Sequence, residues 1–201
     1  MKNIEKAMVI GMAVCVGLVA WHIPFARNCD ELRADTLRLH VVANSDGDED
    51  QAVKLLVRDA LLDHCSDFLE GATTSDEAAL LAKMRAAEIE QIAAGVLAEN
   101  GFDYGVSATV TDMYFEQRSY GDVTLPAGYY TALRVELGEA KGQNWWCVIF
   151  PTLCVPTAGG DITEDEDALD GYTDEERDIA TGEPRYEFRF KLEEWLQRLF
   201  G

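Results

Sequence analysis

The sequence predicts an α+β domain carried behind an N-terminal membrane or signal helix, and three observations predict it. Residues 7–21 form an uncharged apolar run, apolar residues recur every three or four positions between 53 and 97, and from residue 104 the period changes to two. The expected order is an N-terminal strand, two amphipathic helices, then an antiparallel-rich sheet of three or more strands. The expected segments are 1–27 as signal peptide or membrane anchor, 28–158 as the globular domain, 159–184 as an acidic flexible linker and 185–201 as a C-terminal strand and helix.

Lys2 and Lys6 precede the run AMVIGMAVCVGLVAW, the charge-then-apolar order of an export signal or anchor. Read on through His22 and Pro24 to Ala26, the segment is about 20 residues long, near the length a helix needs to cross a bilayer. Cleavage needs small residues at the −3 and −1 positions. A cut after Ala20 puts Leu18 at −3 and a cut after Ala26 puts Pro24 there, so the pattern favours an anchor that stays attached. The early lysines place the N-terminus in the cytoplasm and the bulk of the chain outside. Neither Cys15, after Val14, nor Cys29, after Asn28, has the small preceding residue of a lipid-attachment site.

In TLRLHVVA, residues 36–43, Leu37, Leu39 and Val41 alternate with Arg38, His40 and Val42, which predicts a strand with His40 on its less buried face. The polar NSDGDED follows, and Asp48 with Gln51 has the form of a capping box. Val53, Leu56, Val57, Ala60, Leu61, Cys65 and Phe68 then make one helical stripe. Thr74 and Glu77 repeat the capping signature before a second helix marked by Ala78, Leu81, Ala82, Ile89, Ile92, Ala93, Val96 and Leu97, which Asn100-Gly101 stops. Val106, Ala108 and Val110 share one strand face while Met113 and Phe115 have the other parity, which predicts a bulge near Thr111. After the turn-rich SYGDVTLPAG, residues 129–137 alternate again, and TrpTrpCysValIlePhe, apolar on both parities, reads as a central strand covered on both faces. Residues 159–183 are dense in acid and poor in large apolar groups, hence a solvated linker. Tyr186, Phe188, Phe190 and Leu192 then alternate as an edge strand of the same sheet or a segment that docks on a partner.

A 201-residue chain that is 48% apolar can bury a real core. Its formal charge of −20 and pI near 4.3 repel phosphate backbones, which argues against nucleic acid as a partner. Catalysis by nucleophile and base has few residues to work with, because the histidines are His22, in the apolar run, His40, and His64, whose neighbour Cys65 points about 100° away on a helix. No CxxC, HxxxH or HExxH spacing suits zinc. Asp46, Asp48 and Asp50 resemble the start of a calcium loop, but Gln51 stands where glycine belongs and Val57 where glutamate belongs. No catalytic residue, cofactor or metal is expected.

The stretch NWWCVIFPTLC, 144–154, sets Cys147 and Cys154 too far apart for a thioredoxin-like pair. Two readings stay open: a structural disulfide, with Pro151 turning the chain back, and two buried thiols. Trp145 and Trp146 point to opposite faces of a strand, so one fills core while the other lies nearer the surface as a contact anchor.

Three stretches carry a resemblance: LRLHVVANSDGDEDQAVKLLVRDALL at 37–62, YGDVTLPAGYYTALRVELGEAKGQNWWCVIFPTLC at 120–154 and YEFRFKLEEWL at 186–196. Together they resemble the stage II sporulation protein R family of endospore-forming bacteria. The resemblance implies a signal rather than an enzyme: a protein made in the forespore, exported into the space between forespore and mother-cell membranes, where it activates a membrane-embedded protease of the stage II sporulation protein GA type that processes the sigma factor E precursor. The expected partner contacts are Asn44, Ser45, Asp46, Asp50, Tyr120, Trp145 and Trp146. The competing classes are an extracytoplasmic metal-dependent or thiol hydrolase built on His40, His64 or the Asp46 cluster, and a structural envelope protein.

Overall fold

The computed structural model describes residues 2–120, 123–151 and 172–181, with Lys191 and Trp195. In chain order they form α1 (Lys2–Ala34), β1 (Leu37–Val42), α2 (Asp48–Asp63), α3 (Cys65–Phe68), α4 (Ser75–Met84), α5 (Ala86–Glu99), β2 (Val106–Phe115), β3 (Arg118–Tyr120), β4 (Val123–Leu125), β5 (Gly128–Leu137), β6 (Asn144–Phe150) and α6 (Asp174–Ala180). The fold is α+β. Its four-stranded mixed sheet has the order β2-β5-β1-β6, with β1 parallel to β5 and the other pairs antiparallel. A separate two-stranded ribbon, β3-β4, occupies the SYGDVTLPAG stretch that composition reads as a turn-rich link.

All six residues of β1 are buried, so His40, 4% exposed, is not on a half-open face as alternation suggests. One face of the sheet presents Leu37, Leu39, Val41, Leu133, Val135 and Leu137 to α2–α5. The opposite face carries Arg38 and His40 and is covered by the foot of α1, the β3-β4 ribbon and an aromatic cluster. Parity in a strand reports which face a residue takes; it says nothing about whether the second face is also covered.

That second layer also explains β2. Its register with β5 runs unbroken from Val106↔Leu137 to Phe115↔Gly128, without the expected bulge at Thr111. The change of parity arises because Ala108 and Val110 pack under the helices while Met113 and Phe115 pack on the other face. The sheet's irregularity lies between Leu37 and Arg38, opposite β6. β6 itself is covered on both faces yet stands at the sheet edge among the described residues, not at the centre. The returning strand expected in 185–201 lies outside the described residues, Lys191 and Trp195 apart.

Three helix readings are corrected. The amphipathic stretch from 75 to 99 is two helices broken at Arg85 (φ −99°, ψ 16°), whose guanidinium donates to the Asp67 carbonyl. The break lets Ala78 and Ala82 on one helix, and Ile89, Ala93 and Leu97 on the next, face the same core. The expected capping box at Asp48 and Gln51 does not form: Gly47 is the N-cap, without a side-chain bond, and Gln51 Nε2 donates to the Ser45 carbonyl at 2.7 Å. Leu56, placed in the α2 stripe by spacing, is 46% exposed. The Thr74 cap does form, Glu77 N donating to Thr74 Oγ1 at 3.2 Å. Gly101, at φ +84°, ends α5 as its sequence predicts.

The boundary drawn at residue 27 is crossed by one helix. α1 is exposed along its apolar part, but Phe25, Cys29 and Leu32 are buried with Leu125, Val148, Tyr172, Ile179 and Ala180 in a second core. Part of the stretch read as a solvated linker therefore folds: Thr173 and Glu176 form a reciprocal capping box for α6, and Tyr172 and Ile179 pack on α1. The Thr36 hydroxyl donates to the Leu32 carbonyl at 2.5 Å, which leaves its oxygen to accept from Tyr172 Oη at 2.8 Å. The rest of 159–184 lies outside the described residues.

Candidate functional site

The loop 43–47 leaves the end of β1 and meets the β5-β6 turn. Asp50, nine-tenths buried in the first turn of α2, accepts from Ser45 Oγ at 2.5 Å and Asn44 Nδ2 at 2.9 Å on one oxygen, and from Tyr104 Oη at 2.9 Å on the other. Asn44 Oδ1 accepts from Glu139 N at 2.9 Å, and the Asn44 and Ala43 carbonyls accept from Lys141 N and Gly142 N. The approach demands glycine: Gly138 sits at φ +58°, and a Cβ at Gly142 would collide with the Ser45 carbonyl. Asn44, Ser45 and Asp50 are thereby brought together as a knot whose polar groups point at one another. Asp46 stands apart, exposed at the loop tip.

On the sheet face away from α2–α5, one register row aligns Thr109, Arg134, His40 and Trp146 across the four strands. Trp146 stacks on His40, ring centroids 5.9 Å apart at 27°, and takes the Arg118 guanidinium of β3 over its own ring at 4.5 Å. His40 Nε2 donates to Asn144 Oδ1 at 2.8 Å, which fixes the tautomer and leaves Nδ1 buried with no partner. The next row holds Arg38, fully buried, with its guanidinium 4.1 Å from the Phe115 centroid and 4.9 Å from that of Tyr130. Arg38 Nη2 donates to Tyr120 Oη, while Nε and Nη1 have no hydrogen-bond partner. Arg118 is exposed and Trp146 half-buried, while the half-buried Arg134 is ion-paired with Glu136 at 2.7 Å, so this end of the face presents an aromatic platform beneath one exposed arginine. Sequence reading singles out Trp146 and Tyr120 but misses Arg38, Phe115 and Arg118; the signal available was an arginine inside an otherwise apolar strand.

Trp145 faces the other way, half-buried beside α2 with the Arg58 guanidinium 4.3 Å over its ring. The two tryptophans therefore take opposite faces, each beneath an arginine. Cys147, buried beside Leu39, takes part in a disulfide, Cys65 is a buried thiol, and Cys154 lies outside the described residues. Burial pushes the Cys65 thiol up to about 12, which suits packing rather than nucleophilic attack.

His40 is buried under Trp146 and Phe115, whereas His64 caps the end of α2, its Nδ1 at 2.8 Å from the Ala60 carbonyl. Among the described residues no three His, Cys, Asp or Glu side chains are grouped to hold a metal.

A family model described as Stage II sporulation protein R matches residues 33–159, from the foot of α1 through β6. The chain belongs to the stage II sporulation protein R family. Stage II sporulation protein R of Bacillus subtilis (strain 168) is 31% identical over 182 residues, covering 82% of this chain and 81% of that protein. No solved structure matches. The matched span takes in both the Asp50 knot and the Trp146 platform. Family membership assigns the chain to sporulation, and its apolar α1 has the character of a signal peptide or membrane anchor.

In this family member His40 gives the platform a pH dependence. Burial, and then the Arg134 cation, hold its imidazole below the ordinary value against the opposing pull of Asn144 and Glu136. The folded protein thus keeps His40 neutral where the unfolded chain, titrating near about 6.5, already binds a proton. Its contribution is present above that pH and is lost on acidification below it, with a slope of at most about 1.4 kcal/mol per pH unit. Urea unfolding between pH 7 and 5 is expected to show a shallower loss for His40→Gln than for the parent; equal slopes would assign the dependence to another group.

Proposed function

We propose that this protein is an exported sporulation signal that activates a membrane-embedded protease of the stage II sporulation protein GA type, leading to processing of the sigma factor E precursor. The observation that carries the reading is membership of the stage II sporulation protein R family across the whole described sheet, in a chain whose apolar helix leads directly into a folded domain. The compartment in this reading is the space between forespore and mother-cell membranes.

The platform of Trp146 and Arg118 is the contact surface we assign to the partner. A rigid aromatic side chain beneath an exposed arginine suits an anchor residue with a steering charge beside it. Tyr120, half-buried and bonded to Arg38, borders this surface, Asp46 is an exposed loop tip apart from it, and Asn44, Ser45 and Asp50 serve to hold the loop. Trp145 belongs to the packing of α2 in this reading.

The test places the full chain, the candidate protease and the sigma-factor precursor in a host lacking all three and follows precursor cleavage. Cleavage is expected to require this protein with its N-terminal segment intact. Arg118→Glu, an exposed change, is expected to reduce cleavage about tenfold or more, equivalent to ~1.4 kcal/mol of contact energy, with the melting temperature unchanged; Lys83→Glu on α4 serves as the control. Cleavage that proceeds equally without the exported, folded protein sinks the signalling reading, and equal activity of Arg118→Glu sinks the surface.

A further inference from the structure

α1 has two surfaces with different solvents. From Ile4 to Ile23 its apolar side chains are exposed all the way round, from 67% at Ile4 to 51% at Ile23. That length is about 20 residues, or about 30 Å of helix, the thickness of a bilayer core. Exposure ends abruptly. Phe25 is 4% exposed, and Cys29 and Leu32 are fully buried against Leu125, Val148, Tyr172 and Ile179. The foot is bolted by polar contacts as well: Arg33 Nη1 donates to the Ala127 carbonyl at 2.9 Å, and Gly128, at φ +151°, has no room for a Cβ beside the Arg33 side chain. Trp21, 55% exposed, and the exposed Arg27 stand at the junction, where aromatic and cationic side chains meet lipid headgroups.

We propose that α1 is one rigid element shared by a lipid bilayer and the domain core, so that the domain sits directly on the membrane surface with its span still attached. No linker separates span from core, because the helix is continuous through Pro24. The elements packed on its foot, α6 and the β3-β4 ribbon, are then the ones nearest the bilayer. A cut after Ala20 would sever the span from the domain, and a cut after Ala26 would take Phe25 from the second core as well. The inference does not depend on which partner the domain meets.

Two measurements decide it. The full chain is exported from a bacterial host and the intact mass and N-terminus of the membrane and soluble fractions are determined. An uncut chain in the membrane fraction is the expected result; a soluble, cooperatively melting protein whose N-terminus lies at residue 21 or later overturns the proposal. In detergent, Phe25→Ala in the full chain is expected to lower the melting temperature on the order of 10 °C, and Leu18→Ala to leave it within about 2 °C. Equal melting of the Phe25 variant and the parent would show that the foot is not core, and the proposal falls.

Discussion

Asp50→Ala is expected to destabilise the fold by about 3 kcal/mol and lower the melting temperature on the order of 10 °C. The carboxylate is the common acceptor for Asn44, Ser45 and Tyr104, so its removal takes the shared partner from three half-buried donors at once. The loss propagates, because Asn44 also holds the Glu139 amide and thereby the β5-β6 turn. Asp50→Asn is the informative companion. It keeps the oxygen that faces Asn44 and Ser45, and the Tyr104 hydroxyl can rotate to accept from the new amide, so a loss of about 1 kcal/mol is expected. The bond from Ser45 comes first among the causes that hold the Asp50 carboxyl below the usual carboxylate range, with Asn44 and Tyr104 adding to it against burial. A depressed carboxyl contributes stability that is present above its unfolded value, about 3.9, and is lost as pH falls through the folded one. Acid unfolding is therefore expected to lose this component in both variants. Thermal melts decide the matter: an Asp50→Ala protein that melts within about 2 °C of the parent would show that the knot contributes little.

Arg38→Ala is expected to cost about 3–4 kcal/mol, whereas Arg38→Met is expected to fall within about 1 kcal/mol of the parent or above it. The alanine variant empties a fully buried site between Phe115, Tyr130 and Tyr120. Methionine refills most of that volume and removes a buried charge whose Nε and Nη1 lack hydrogen bonds, a desolvation cost the ring contacts and the single Tyr120 bond only partly offset. Chemical denaturation separates the possibilities. Equal damage from both substitutions would mean that the guanidinium charge, rather than the packing of its stem, holds this layer together.

Helix periodicity in 53–97, the strand at 37–42, the Thr74 cap and the stop at Gly101 were legible because each depends on neighbours within four residues. So was the opposition of Trp145 and Trp146, which follows from strand geometry alone. The misreadings share a cause. Asp48 and Gln51 satisfy the capping pattern, yet the β5-β6 turn lies over Ser45 and draws Gln51 to its carbonyl instead. Parity in β2 was read correctly and attributed to the wrong thing, because local spacing cannot report that the covering layer changes from the helices to an aromatic cluster along ten residues of strand.

The sequence by itself determined the α+β class, the apolar N-terminal helix, the acidic surface and, through its long motifs, the family, since these depend on composition and short-range order. Only the tertiary structure decided that Asn44, Ser45 and Asp50 face inward, that Arg38 lies buried among rings, that Trp146 shares a platform with His40 and Arg118, and that α1 ends inside the core. Each of those outcomes pairs residues tens of positions apart, and the free energy that selects them, burial of apolar surface with its polar groups satisfied, is defined only once the layers have met.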